Sequence, residues 1–226
     1  MKTKNLRIAL LTAGMLALWM SPVRASILYL GGAYSSGILL QESLNGGPSS
    51  SDYETGGSID PSTLSGAAVA VYCVDLFDNV GVPATYNATV TTDGFVNNQL
   101  VDNAGQVAWL LDHYATTGQG VGAVALQAAI WHVIYNGSAG YARGLAVALD
   151  SSSPSYSTYT AMLSALGNQI APLSDVDWLT PTPDNLSQGL VAATPVPEPA
   201  TVIAGVAMLL PFGVSVLRML RRKEAA

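Results

Sequence analysis

The sequence predicts an α+β fold, and three observations carry that expectation. Between residues 26 and 92, apolar and alternating runs have strand length. Residues 106–135 instead repeat their apolar side chains at helical spacing, in two segments joined by a glycine-rich turn. Two further apolar runs lie at the extreme ends, flanked by basic residues, and so stand outside the domain. Half of the 226 residues are apolar, enough for one domain of ordinary size with targeting segments attached.

Ser26 to Leu40 (SILYLGGAYSSGILL) reads as a strand, a glycine turn and a second strand. Asn45 to Ser65 is rich in Gly, Ser, Pro and Asp and reads as an exposed loop. Gly66 to Phe77 (GAAVAVYCVDLF) is a continuous apolar run, consistent with a strand buried on both faces, and it contains Cys73. From Tyr86 to Thr92, Tyr86, Ala88 and Val90 alternate with polar residues, which fits a half-buried strand ending at the Asp93-Gly94 turn. Leu100, Ala104, Val107, Ala108, Leu111, Tyr114 and Ala115 then recur at three- and four-residue steps, giving an amphipathic helix. Gly118, Gly120 and Gly122 interrupt it. Val124, Ala128, Trp131 and Tyr135 mark a second helix, with Gln127 flanking its stripe, and Asn136-Gly137 stops it. A third, weaker helix is expected over Thr158–Leu166, and there is no internal repeat.

The ends address the protein. Lys2, Lys4 and Arg7 precede an apolar run, Ile8 to Met20, too short to span a bilayer comfortably. Val23-Arg24-Ala25 then offers a small-residue cleavage site, between Ala25 and Ser26, so residues 1–25 read as a signal peptide. The domain is expected over 26–179 and a proline-rich stalk over 180–195. Residues 200–217 form an apolar stretch close to the length of a membrane helix, followed by Arg218, Arg221, Arg222 and Lys223 as a cytoplasmic stop. Pro197-Glu198-Pro199, the span and the basic tail together resemble a PEP-CTERM sorting signal over 196–226. That resemblance implies a Gram-negative bacterium, processing by signal peptidase and an exosortase, and a membrane-anchored precursor. The product would reach the cell surface or the extracellular matrix.

Charge narrows the partners. Between Ser26 and Pro199 the only lysine or arginine is Arg143, against acids spread from Glu42 to Glu198. Such a surface repels phosphate backbones, so no nucleic-acid partner is expected. Two histidines and one cysteine make no metal cluster, and no phosphate loop or nucleophile elbow occurs, so neither metal nor cofactor is expected.

Cys73 is the only cysteine, and in an exported protein it has no partner within the chain. Its surroundings, Tyr72-Cys73-Val74-Asp75, resemble the cysteine strand of bacterial surface thioester domains of the Thr-Gln-x-Ala type. Leu126-Gln127-Ala128-Ala129-Ile130-Trp131 resembles that family's glutamine segment, with Leu126 where threonine is common. Val107-Ala108-Trp109-Leu110-Leu111 looks like the helix that precedes it. The resemblance implies a β-rich, barrel- or sandwich-like body, a small helical subdomain over the site, and an internal bond between Cys73 and Gln127.

Chemistry supports the same pair. A thiolate held against a primary amide can displace ammonia and leave a thioester, given close approach and donors for the developing oxyanion. An amine-bearing partner (a protein lysine, an amino sugar or a polyamine) would then displace the sulfur and stay attached to Gln127, once per molecule, without turnover. A domain that stores an acyl donor is safer without lysines of its own. His132, five residues beyond Gln127, is a candidate for assisting proton transfer. Two other readings stand beside this one. In the first, the protein is a non-covalent adhesion or matrix module with Cys73 merely buried. In the second, it is a cysteine hydrolase pairing Cys73 with His113 or His132.

Overall fold

In the computed structural model, which describes residues 23–137, 143–182 and 188–193, the strand-length runs pair into two antiparallel sheets and a short ribbon. The larger sheet contains β1 (Arg24–Leu30), β4 (Ser62–Leu64), β5 (Ala67–Val69), β6 (Val71–Cys73), β7 (Ala84–Thr91), β11 (Val176–Pro181) and β12 (Leu190–Ala193). Its order is β5-β4-β1-β7-β11-β12-β6. Only Ala70 separates β5 from β6 in the chain, yet they occupy opposite ends of that order. The two edges must therefore lie close together, and the sheet curls into a nearly closed, barrel-like form. The second sheet joins β2 (Ala33–Leu44), β3 (Ser50–Asp60) and β10 (Leu145–Leu149) in the order β10-β2-β3, and β8 (Phe95–Val96) pairs with β9 (Gln99–Leu100) as the ribbon.

Three helices complete the described domain: α1 (Ala104–Tyr114), α2 (Val121–Tyr135) and α3 (Tyr156–Leu166). The α+β expectation holds, with strands predominating. The second helix departs from the amphipathic reading, because eleven of its 15 residues are buried. It packs against β3 and β10 on one side and against α1 and α3 on others, so no face is left for solvent. Trp131, Ile130, Ile134 and Tyr135 all lie in the core.

Three expectations need correction. Asn45–Ser65 is not a loop: eleven of its residues form β3, paired along β2 from Ala33 to Glu42. Its small residues serve packing, since Gly56, Gly57 and Ser58 are buried where α2 crosses the sheet. Gly66–Phe77 is not one strand but two, because the chain passes at Ala70 from one sheet edge to the other. The stalk expected over 180–195 is in its described parts structural. Thr180 and Pro181 finish β11, and β12 lies between β11 and β6, paired Leu190 to Cys73 and Val191 to Tyr72. Its run LVAA is short, but it fills a slot between two strands and is buried except at Ala193.

The amino end also begins early. Arg24 and Ala25 already belong to β1, paired with Val90 and Thr89. Arg24 Nη2 lies 2.9 Å from Asp177 Oδ1, so the expected cleavage after Ala25 falls inside a strand and beyond an ion pair. Residues 1–22, Pro197, Glu198 and Pro199, and the apolar stretch 200–217 lie outside the described residues. Among the described residues no helix is long and apolar enough to cross a membrane.

Candidate functional site

Backbone alternation explains what Cys73 needs. Along an antiparallel strand, successive residues aim their N–H and C=O to opposite sides. Val74 N–H donates to the Gly189 carbonyl on the β12 side, at 3.0 Å. The N–H and C=O of Cys73 therefore face away from β12, toward the open edge of the sheet, where no strand takes them. Buried groups of this kind cost about 1–3 kcal/mol each when left unpaired.

Gln127 takes both. Its Oε1 accepts from Cys73 N–H at 2.9 Å, and its Nε2 donates to the Cys73 carbonyl at 2.7 Å. One side-chain amide thus completes the edge as a neighbouring strand would. Tyr135, two turns further along α2, does the same for Leu76, whose N–H donates to the Tyr135 hydroxyl at 2.8 Å. From the loop after α1, the Thr116 carbonyl accepts from the Tyr72 hydroxyl at 3.0 Å. The structure therefore sets the Gln127 side chain against the backbone of Cys73, and Gln127 is fully buried.

Close approach depends on Gly56. A Cβ at that position would lie 2.8 Å from both Gln127 Cγ and Trp131 Cη2, too near for either to remain. A glycine in β3 therefore lets α2 press Gln127 onto β6. The start of α2 is fixed by Gln119. Its Oε1 accepts from Ser35 Oγ at 2.8 Å, and its Nε2 donates to the Ala33 carbonyl at 3.2 Å and to the Ser58 carbonyl. Gly118 N–H also donates to Asp60 Oδ2 at 2.7 Å. The glycine-rich turn between the helices is thus tied to β2 and β3.

The thiol itself has a different partner. Cys73 Sγ lies 3.1 Å from Gln188 Oε1, and Gln188 Nε2 donates to the Asp75 carbonyl. Sulfur and Gln188 line a cavity of about 230 Å³ together with Tyr34, Thr55, Gly56 and Val80. Tyr34 and Thr55 are exposed at its rim. The register of β2 against β3 slips on either side of Ser35, which breaks the regular ladder beside this opening. Burial pushes the Cys73 thiol up to about 12, and the carboxylates of Asp75 and Glu54 add to the shift. At neutral pH the sulfur therefore carries its proton.

The histidines lie elsewhere. His132 points to α3, with Nδ1 2.8 Å from the Tyr159 hydroxyl, and it borders a separate hollow with Asn103, Gln106 and Leu166. Burial lowers its pKa. His113 stacks on Trp109, with ring centroids 4.0 Å apart and Nδ1 2.9 Å from the Trp109 carbonyl. Neither ring lines the cavity at Cys73. Among the described residues no group of three or more His, Cys, Asp or Glu could hold a metal ion.

Sequence reading missed Gly56, Gln119 and Gln188. A Gly-Gly pair inside a Ser-rich segment carries a loop signature, and isolated glutamines carry none. Gln188 alone left a trace, since it stands two residues before the apolar run that becomes β12. No protein-family model matches the chain, nor does any curated protein or solved structure.

Proposed function

We propose that this protein is an exported surface or matrix protein in which Cys73 and Gln127 form an internal thioester that captures an amine-bearing partner. One observation carries the reading: the Gln127 amide is held at both ends by the backbone of Cys73. Attack by sulfur on the amide carbon drives negative charge onto Oε1, which already accepts the Cys73 N–H and so has an oxyanion donor in place. The nitrogen that must leave is oriented by the Cys73 carbonyl. In the balanced step, the S–H bond and the amide C–N bond break, a C–S bond forms, and the thiol proton departs with the nitrogen as ammonia. Because the thiol is neutral at rest, sulfur gives up its proton during attack rather than before it.

The thioester is then opened once, by an amine entering the cavity that Cys73 lines. Arg143 is the sole arginine or lysine between β1 and the sorting motif, so the domain offers no lysine of its own as a competing nucleophile. The signal peptide, the Pro197-Glu198-Pro199 motif, the 200–217 span and the basic tail support delivery through signal peptidase and exosortase to the cell surface or matrix.

A second reading has its own support. A buried, neutral thiol and a glutamine that satisfies a sheet edge also suit a non-covalent adhesion module of the exopolysaccharide matrix, with Gln127 as a strut. Intact-mass measurement of the exported protein separates the two. The thioester requires a species one ammonia lighter than the sequence mass, which adds methylamine and is absent from Cys73→Ala. Full mass with a titratable thiol in fresh wild-type protein supports the strut and sinks the thioester.

A further inference from the structure

Gln188 forms no bond in the exchange between Cys73 and Gln127, yet it is more than nine-tenths buried and faces the sulfur. Its orientation does not depend on the thiol. Nε2 is anchored on the Asp75 carbonyl, two residues beyond Cys73 on the same segment, so Oε1 is the end presented to Sγ. An amide oxygen is too weak a base to keep a proton, so Gln188 cannot serve as the general base of the first step. It can only accept a hydrogen bond.

Thioester formation changes what that acceptor faces. Once sulfur is acylated it has no hydrogen to donate, and Oε1 becomes a buried acceptor, in the cavity, beside the bond to be broken. Burial without a donor is costly for it, so a nucleophile that brings an N–H is drawn to that position. On the reading that Cys73 and Gln127 form a thioester, we infer that Gln188 Oε1 receives an N–H of the incoming primary amine and sets its nitrogen beside the thioester for attack. The amine nitrogen bonds to the Gln127 carbonyl carbon, the C–S bond breaks, and one amine proton passes to the departing sulfur. The products are a substituted amide at Gln127 and the Cys73 thiol, which returns its S–H to Gln188. The same oxygen thus orients the thiol before the reaction, the amine during it and the thiol again afterwards.

Selectivity follows from this placement. Primary amines, which keep a second hydrogen for the transfer to sulfur, fit the acceptor. A thiolate brings no donor and gains nothing from it.

The test compares two probes on thioester-bearing protein: methylamine, and ethanethiol, which exchanges at the same bond as its thiolate and carries no N–H or hydroxyl. Gln188→Ala is expected to slow methylamine capture about 10-fold, the scale of one buried hydrogen bond, and to leave thiol exchange unchanged. Gln188→Met keeps most of the volume without the acceptor, so it should match Gln188→Ala, and it serves if the alanine variant does not fold. A merely structural role would move both probes together. The proposal is overturned if methylamine capture stays at the wild-type rate, if both rates fall equally, or if neither variant acquires the thioester, which would assign Gln188 to bond formation instead. Failure of the thioester reading looks different: wild-type protein itself would then show full sequence mass and react with neither probe.

Discussion

Cys73 is held by two glutamines, and they hold different parts of it. Gln127 comes from the middle of α2, a helix locked among β3, β10, α1 and α3, and it binds the backbone. Gln188 stands two residues before β12 and binds the sulfur. The first contact fixes where the residue is; the second fixes where its proton points. A rigid element supplies the first, where errors of fractions of an ångström matter to bond formation. A segment only two residues from its strand supplies the second, at the wall of an open cavity. The difference separates architecture from chemistry.

Breaking the α2 side has the largest expected effect. Gln127→Ala strips Cys73 N–H and C=O of their partner and leaves a hole beneath Trp131. The expected loss is about 4 kcal/mol of unfolding free energy together with all thioester, read by denaturant titration and intact mass. Gly56→Ala tests the same side without touching either reacting residue. Its methyl group collides with Gln127 Cγ and Trp131 Cη2, so a loss of about 1–3 kcal/mol and a reduced thioester fraction are expected. Retention of full thioester in Gly56→Ala would show that α2 need not approach β6 this closely.

Acidity gives a smaller, graded effect. Glu42 and Glu54 on the β2–β3 pair, Asp75 beside the site and Asp177 under Arg24 all have pKa values raised, chiefly by burial. A carboxyl whose folded pKa exceeds its unfolded one disfavours the folded state while ionised, and that cost is relieved as pH falls through the raised value. These carboxyls should therefore add stability as pH is lowered toward the ordinary carboxylate range. His132 opposes the trend, because burial lowers its pKa and protonation favours the unfolded chain. Glu42→Gln with Glu54→Gln should flatten the rise, and His132→Gln should steepen it. A melting-temperature profile that Glu42→Gln with Glu54→Gln leaves unchanged would contradict this charge arrangement.

The smallest effect expected on the chemistry also comes from His132. It lies five residues from Gln127 but turns to Tyr159 on the other side of α2. His132→Gln should leave thioester content and methylamine capture at wild-type levels. A loss of capture in a stably folded His132→Gln would reopen a proton-transfer role.

The same comparison explains what the sequence made legible. Gln127 and Cys73 lie in runs long enough to declare a helix and a strand, and each carries a local motif, so both residues stand out in the sequence. The second helix reads as amphipathic because Val124, Ala128, Trp131 and Tyr135 form a visible stripe, whereas Ala123, Ala125 and Ala129, buried off that stripe, advertise no face. Gln188 was hidden because the four-residue strand after it sits among prolines and reads as stalk. Only the slot between β11 and β6 makes LVAA a strand. Gly56 was hidden for the opposite reason, since a residue selected to be absent in volume looks like a loop residue until the helix above it is seen.

Peptide mapping after methylamine treatment of the exported protein tests the central claim most directly. The account predicts an N-methyl amide on Gln127 and a newly titratable thiol at Cys73, in equal amounts, from protein whose thiol was unreactive beforehand. An unmodified Gln127 with a Cys73 thiol titratable from the outset would contradict it.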